Sequence, residues 1–156
     1  MYVLHYAFCI FHFMTLISAG CLVVRNGRTG PEVLLVHPRR ATFRRPLFGI
    51  PKGLIEKDEL PEVAAQRETY EETGILVRIQ GSLGSVRQKS GKTVQAFWAT
   101  VDPASESAID DGGRCAAPDR ENDVCRFYPL EKAYEIMIPA QREFLDRWRE
   151  QLSAES

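Results

Sequence analysis

No lysine, arginine, aspartate or glutamate precedes Arg25. That uncharged stretch still lacks the features of a membrane segment or a secretion signal. A spanning helix needs about 20 apolar residues, and a signal peptide needs a basic start and a small-residue cleavage site. Met1–Phe13 has no basic residue and carries His5 and His12. We expect it to be an extension upstream of the natural start, or an extra edge strand, followed by one domain over residues 14–153 with no membrane association. Cysteine is sparse too. Cys9, Cys21, Cys115 and Cys125 form no CxxC pair and have no histidine at zinc spacing, which excludes a disulfide scaffold and leaves free thiols of a cytoplasmic protein. An excess of one charge is also missing. Twenty basic residues meet 21 acidic ones, a net charge of −1, which argues against a general nucleic-acid binder. What is present is a chain of 156 residues, 44% apolar, long enough for one hydrophobic core.

Cys21–Val24 and Val33–Val36 are short, β-branched apolar runs flanking a turn-rich connection from Arg25 to Glu32, the pattern of an antiparallel hairpin. The near-neutral total hides two adjacent charge blocks. His37–Lys52 contains Arg39, Arg40, Arg44, Arg45 and Lys52 and no acidic residue, whereas Leu54–Glu72 holds seven acidic residues against two basic ones. Pro61 suits the first turn of a helix and Gly74 its left-handed stop, so a helix is expected from Pro61 to Thr73. Ile75–Ile79, Ser82–Arg87 and Thr93–Val101 read as strands, and Asp102–Asn122 as loop. Phe144, Leu145, Trp148 and Leu152 fall on one face of a closing helix as core.

Within the first helix, Glu68, Glu71 and Glu72 stand at i, i+3 and i+4, so all three carboxylates project from one side. Like charges at that spacing repel. A hard, oxygen-seeking cation such as Mg²⁺ or Mn²⁺ would offset the repulsion; a solvated acidic face is the alternative for three glutamates alone. The wider spacing selects between the two. Gly53, Glu59, Arg67-Glu68, Glu71-Glu72 and Gly74 stand at the separations of the Nudix box. Chance would place these seven identities in register about once in 10⁸ windows.

The chain therefore resembles the Nudix hydrolases at this point. Ser18-Ala-Gly-Cys-Leu-Val-Val, Glu32-Val-Leu-Leu-Val-His-Pro and Gly49-Ile-Pro-Lys-Gly look like the strands and loop of small bacterial members. The resemblance runs from Leu16 to the C-terminal helix and implies an α/β fold, the Nudix α/β/α sandwich with a mixed central sheet. Thr69 stands where the family usually has a bulky aliphatic residue, and Phe48 where it usually has Trp.

Carried over residue by residue, the resemblance implies a Mg²⁺-dependent enzyme (Mn²⁺ as substitute) that hydrolyses a nucleoside diphosphate linked to another group. Glu68, Glu71 and Glu72 would bind the metal, with the carbonyl of Lys52 or Gly53 as a further ligand. Glu68 or Glu71 would deprotonate the attacking water. Arg67 would hold Glu59 and the loop against the helix. Among the cations, Lys52, Arg45, Lys89 and Lys92 are the candidates for substrate phosphates. Glu121 lies in a segment similar to a late family loop that contributes an acidic residue. Phe48, Phe97, Trp98 and Tyr128 are aromatic enough to stack a base, or to be core. The expected partner is a small nucleotide, with monomer and homodimer both open.

For the substrate, Ser90 stands where ADP-ribose hydrolases have Pro. Ile50-Pro-Lys-Gly looks like the corresponding segment of diadenosine tetraphosphate hydrolases, and the dense basic loop suits a long polyphosphate. A dinucleoside polyphosphate is the first expectation and a nucleoside triphosphate the second. A nucleotide-sensing module without turnover would be expected to lose a box carboxylate, and none is lost here.

Overall fold

A computed structural model describes residues 16–39, 47–115 and 121–156. The hairpin forms as the sequence predicts: β1 (Ile17–Gly27) pairs antiparallel with β2 (Gly30–Pro38), in the register Val24 to Val33. A short β3 (Lys52–Leu54) follows, then α1 (Pro61–Thr73), β4 (Val77–Arg87), β5 (Thr93–Val101), β6 (Asn122–Pro129), α2 (Leu130–Ile136) and α3 (Arg142–Glu155). The sheet runs β4-β5-β1-β2-β6, with β3 also paired to β1. β1 and β5 are parallel and the other pairs antiparallel, so the sheet is mixed.

Both faces of this sheet are covered, which explains why its central strands read as unbroken apolar runs. On β1, Ala19, Cys21 and Val23 face the α1 layer, with Leu34 and Val36 of β2 beside them. Leu22 and Val24 of β1, with Val33 and Leu35 of β2, face the layer of α2 and α3, where Met137, Phe144, Leu145 and Trp148 pack. The result is the expected three-layer sandwich.

α1 presents only Ala64 and Ala65 as buried apolar side chains, so the helix axis lies close to the sheet. Gly74 ends it at φ 72° and donates its N–H to Tyr70 O at 2.8 Å. Thr69 is fully buried, and its hydroxyl is satisfied by Ala65 O at 2.7 Å, so the smaller residue causes no polar deficit.

Three expectations need correction. The two strands read before and after Gly81 are one strand, β4, bent by register shifts near Gly81 and Gly84; bulges keep the pairing while reaiming the chain. The stretch read as loop contains a 3-10 turn at Pro103–Ala108 and the first residue of β6. Leu152, assigned to the core face of α3, is 37% exposed, beyond the end of the packed stripe. Residues 1–13 and the basic residues Arg40, Arg44 and Arg45 lie outside the described residues.

Candidate active site

The site is built where β1 and β2 part. Their pairing covers only the hairpin end, from Val24 to Val33 onward to the turn. Towards the start of β1, the segment from Phe48 to Leu54 wedges between them. Gly49 exchanges two hydrogen bonds with Val36 of β2, at 2.9 and 3.0 Å, and Pro51 O accepts from Cys21 N of β1 at 3.3 Å. Ser18, Ala19 and Gly20 then pair with Leu54, Gly53 and Lys52. Gly20 has to be glycine here: a Cβ would meet Lys52 Cβ at 2.7 Å.

α1 lies directly over this wedge. The Glu68 carboxylate occupies the space where a Cβ on Gly53 would stand. Glu72 is buried and accepts from Lys52 N at 3.0 Å. Arg67 organises the outer side, through Nε to Glu59 Oε2 at 2.8 Å and Nη2 to Glu59 Oε1 at 2.9 Å. It also donates to Glu68 Oε1 at 2.7 Å, Glu71 Oε2 at 3.2 Å and Leu54 O at 3.1 Å. The bidentate pair with Arg67, aided by the Glu56 N–H, holds Glu59 down at about 2 and pushes the Arg67 guanidinium further up. Arg67 and Glu59 thus tie the loop to the helix.

Glu68 and Glu72 point towards the wedge, whereas Glu71 is 56% exposed and rests on Arg67. Among the described residues, no three His, Cys, Asp or Glu side chains already stand together as a metal cage. The donor set nevertheless suits a hard cation, because it consists of carboxylate oxygens beside the β3 main chain. Glu121, the residue just before β6, adds to it. It lines a cavity of about 430 Å³ together with Lys52, Gly53, Glu68 and Lys92. It also lines an adjoining cavity of about 220 Å³ with Glu72 and Lys52. Leu47 and Ile138 form walls both of that second cavity and of a third, about 680 Å³, which continues past Arg87, Lys89, Pro139 and Ala140. Shared walls thus set the three cavities side by side, a trough running from Glu68 to a largely apolar end.

Lys52 and Lys92 therefore border the carboxylates, while Lys89 lies at the far end of the trough. The aromatic candidates divide. Phe97 is core, 3% exposed, because its position on β5 points under α1. Trp98 packs edge-on against Trp148, away from the box. Phe48 is wedged between His37 and Tyr128, with ring centroids 4.9 and 5.5 Å away. The sequence did not single out Leu47, Ile138 and Pro139 as trough walls, nor the pairing of buried His37 with Asp123 at 2.7 Å. Isolated apolar residues near loops carry no signal of that kind.

A NUDIX domain profile matches residues 14–148. Two mouse proteins, the diphosphoinositol polyphosphate phosphohydrolases 3-alpha and 3-beta, are each 28% identical over 131 residues, covering 83% of this chain and 75% of theirs. Among solved structures, an Ap4A hydrolase binary complex from C. elegans superposes with a TM-score of 0.69 at 23% identity, covering 89% of this chain and 98% of that one. The NUDIX domain of Shewanella oneidensis NrtR, complexed with ADP ribose, gives 0.69 at 20% identity, with 88% of each chain covered. The fold and box define a hydrolase acting on pyrophosphate bonds. The chain belongs to the Nudix family.

Proposed function

We propose that the chain is a Mg²⁺-dependent hydrolase of dinucleoside polyphosphates of the diadenosine tetraphosphate kind. The trough carries this reading. Its carboxylate end is bordered by Lys52 and Lys92, and its far end joins apolar walls to Arg87 and Lys89. Such a shape suits a polyphosphate that ends in a base, since a purine has an apolar face to bury and an inositol polyphosphate has none. The C. elegans Ap4A hydrolase shares the fold, which is consistent with this choice.

Glu68, Glu72 and the carbonyl of Lys52 or Gly53 would hold the cation, with Glu121 facing them across the cavity and Glu71 joining by leaving Arg67. Glu71 has the longest of the Arg67 contacts, so its release breaks the least. A bound divalent cation supplies charge neutralisation on phosphate oxygens and a lowered pKa for water. Glu68, already at the cavity wall, takes the proton from the attacking water. Lys52 and Lys92 neutralise the remaining phosphate oxygens, and Arg67 with Glu59 keeps Glu68 aimed inward. Among the described residues the apolar end of the trough offers room for one base, which also favours a nucleoside triphosphate as the second substrate class.

Product analysis after incubation with Mg²⁺ separates these. Diadenosine tetraphosphate plus water should give ATP plus AMP, lost in Glu68→Gln and reduced in Glu71→Gln. A nucleoside monophosphate plus pyrophosphate, from a triphosphate alone, would move the substrate to the second class. Phosphate release from a diphosphoinositol with no nucleotide turnover would overturn both.

A further inference from the structure

Gln141 is fully buried, in the 3-10 turn Pro139–Gln141 that precedes α3, and far in sequence from the box. Its Oε1 accepts from the backbone N–H of Ile50 at 2.9 Å. The backbone around that bond shows what it replaces. The wedge segment runs beside the chain after α2 as a short parallel ladder: Phe48 N donates to Ile136 O at 3.2 Å, and Ile138 N donates to Phe48 O at 2.9 Å. The next rung would require a carbonyl opposite Ile50 N. The chain has turned away at Pro139, and the Gln141 side chain supplies the oxygen instead.

Two further contacts follow from this rung. Gly49 lies against the same carboxamide, where an added Cβ would meet Oε1 at 3.0 Å and Nε2 at 3.2 Å. Two residues beyond Ile50, Lys52 donates its N–H to Glu72. Pro51 between them has no N–H, so Ile50 and Lys52 carry the donors that bracket the turn into β3. Among the described residues, the buried Gln141 Nε2 has no hydrogen-bond partner. A leucine or methionine would fill the volume without burying an unmade donor, which is costly. The side chain is therefore present for its oxygen rather than for its bulk.

We propose that Gln141 is a positioning residue for the hydrolysis: its carboxamide fixes the backbone from Gly49 to Lys52, and through the Lys52 N–H it sets where the Glu72 carboxylate stands. The same turn supplies Pro139 and Ala140 to the apolar end of the trough. Gln141 thus links the wall of the substrate cavity to the loop under the carboxylates. This rests on the hydrolase reading of that site, but its geometric half is measurable without turnover.

The test compares Gln141→Met, which keeps the volume and removes the acceptor, with Gln141→Glu, which keeps an acceptor oxygen. Amide hydrogen exchange at Ile50 and Lys52 is read by NMR in each, beside kcat and KM. The Met variant should exchange about tenfold faster at Ile50 and lose about tenfold in kcat with KM within twofold. The Glu variant should recover both measures among its folded molecules. Gly49→Ala, which displaces the same carboxamide, should repeat the kcat loss and decides the matter if the Met variant does not fold. Unchanged kcat in folded Gln141→Met, or in Gly49→Ala where the Met variant does not fold, would overturn the proposal, as would equal losses in the folded Met and Glu variants. A wild-type protein that hydrolyses no phosphoanhydride would instead refute the enzymatic reading, and the Ile50 exchange would still decide the positioning.

Discussion

Replacing Gly53 with alanine separates the stability of this fold from its chemistry. The new Cβ would occupy the place of the Glu68 carboxylate. The backbone of Gly53 has no room to retreat, because it is paired with Ala19 in the sheet. Glu68 is the flexible partner, so it moves. Its carboxylate swings off the wedge and loses its 2.7 Å bond from Arg67. A rotamer change of this kind costs about 1 kcal/mol, which lowers the melting temperature of a domain this size by about 2–4 °C. Activity should suffer far more. Displacing a reacting group by about 1 Å costs on the order of 100-fold, equivalent to about 2.7 kcal/mol of barrier. Calorimetry and steady-state kinetics on the same preparation check both halves. A Gly53→Ala protein with kcat within threefold of wild type would refute the placement of Glu68 at the reacting centre. One that loses activity only by unfolding would refute the claim that the fold tolerates the change.

The Arg67–Glu59 pair should leave a pH signature. A carboxylate depressed to about 2 in the folded state contributes fully above the roughly 4.3 of an unfolded glutamate, and the contribution drains away as pH falls towards 2. Urea midpoints of wild type and Glu59→Gln should therefore differ at pH 6 and converge near pH 2; a constant gap would contradict the pairing. Burial pushes the Cys21 thiol up to about 11, partly offset by a hydrogen bond with Thr69, and Cys115 and Cys125 are buried as well. In a Cys9→Ser background, a disulfide reagent at pH 8 should label none of the three until denaturant is added; rapid labelling in native buffer would show that the core is more open than described. Lys89→Ala, at the far end of the trough, should raise KM about tenfold with kcat unchanged. A fall in kcat alone would move Lys89 from binding to the chemical step.

Much of this was legible in the sequence for identifiable reasons. The hairpin announces itself through β-branched runs on either side of a turn, and α1 through Pro61, Gly74 and the box spacing, all of which are local signals. β3 escaped because a three-residue strand has no period, and its pairing with β1 depends on β2 having moved aside. β4 looked like two strands because its glycines are turn signals, yet here they make bulges inside one strand. Local spacing put Glu68, Glu71 and Glu72 on one helix side, but it gave no sign that Arg67 would draw Glu71 outward while Lys52 holds Glu72 in. Gln141 illustrates the limit. A glutamine beside charged residues looks like surface, and only the chain returning at Phe48 makes its oxygen necessary.

The position of the site follows from a deficit in the sheet. β1 and β2 leave main-chain groups unpaired where they part, and an unpaired backbone group cannot stay buried. The wedge segment answers that demand from both sides, through Val36, Cys21 and the β3 pairing. In doing so it brings a stretch with Pro51 and Gly53 under α1, where the backbone approaches the helix closely and Glu68 fills the space a side chain would take. Glu68 of α1 and Glu121 then line one cavity over main chain held by sheet hydrogen bonds rather than over a free loop. Such a support suits the chemistry, since a group of like charges needs a rigid base if it is to remain aimed at a pyrophosphate bond. The sheet's incomplete pairing and the enzyme's site are thus two consequences of the same parting of strands.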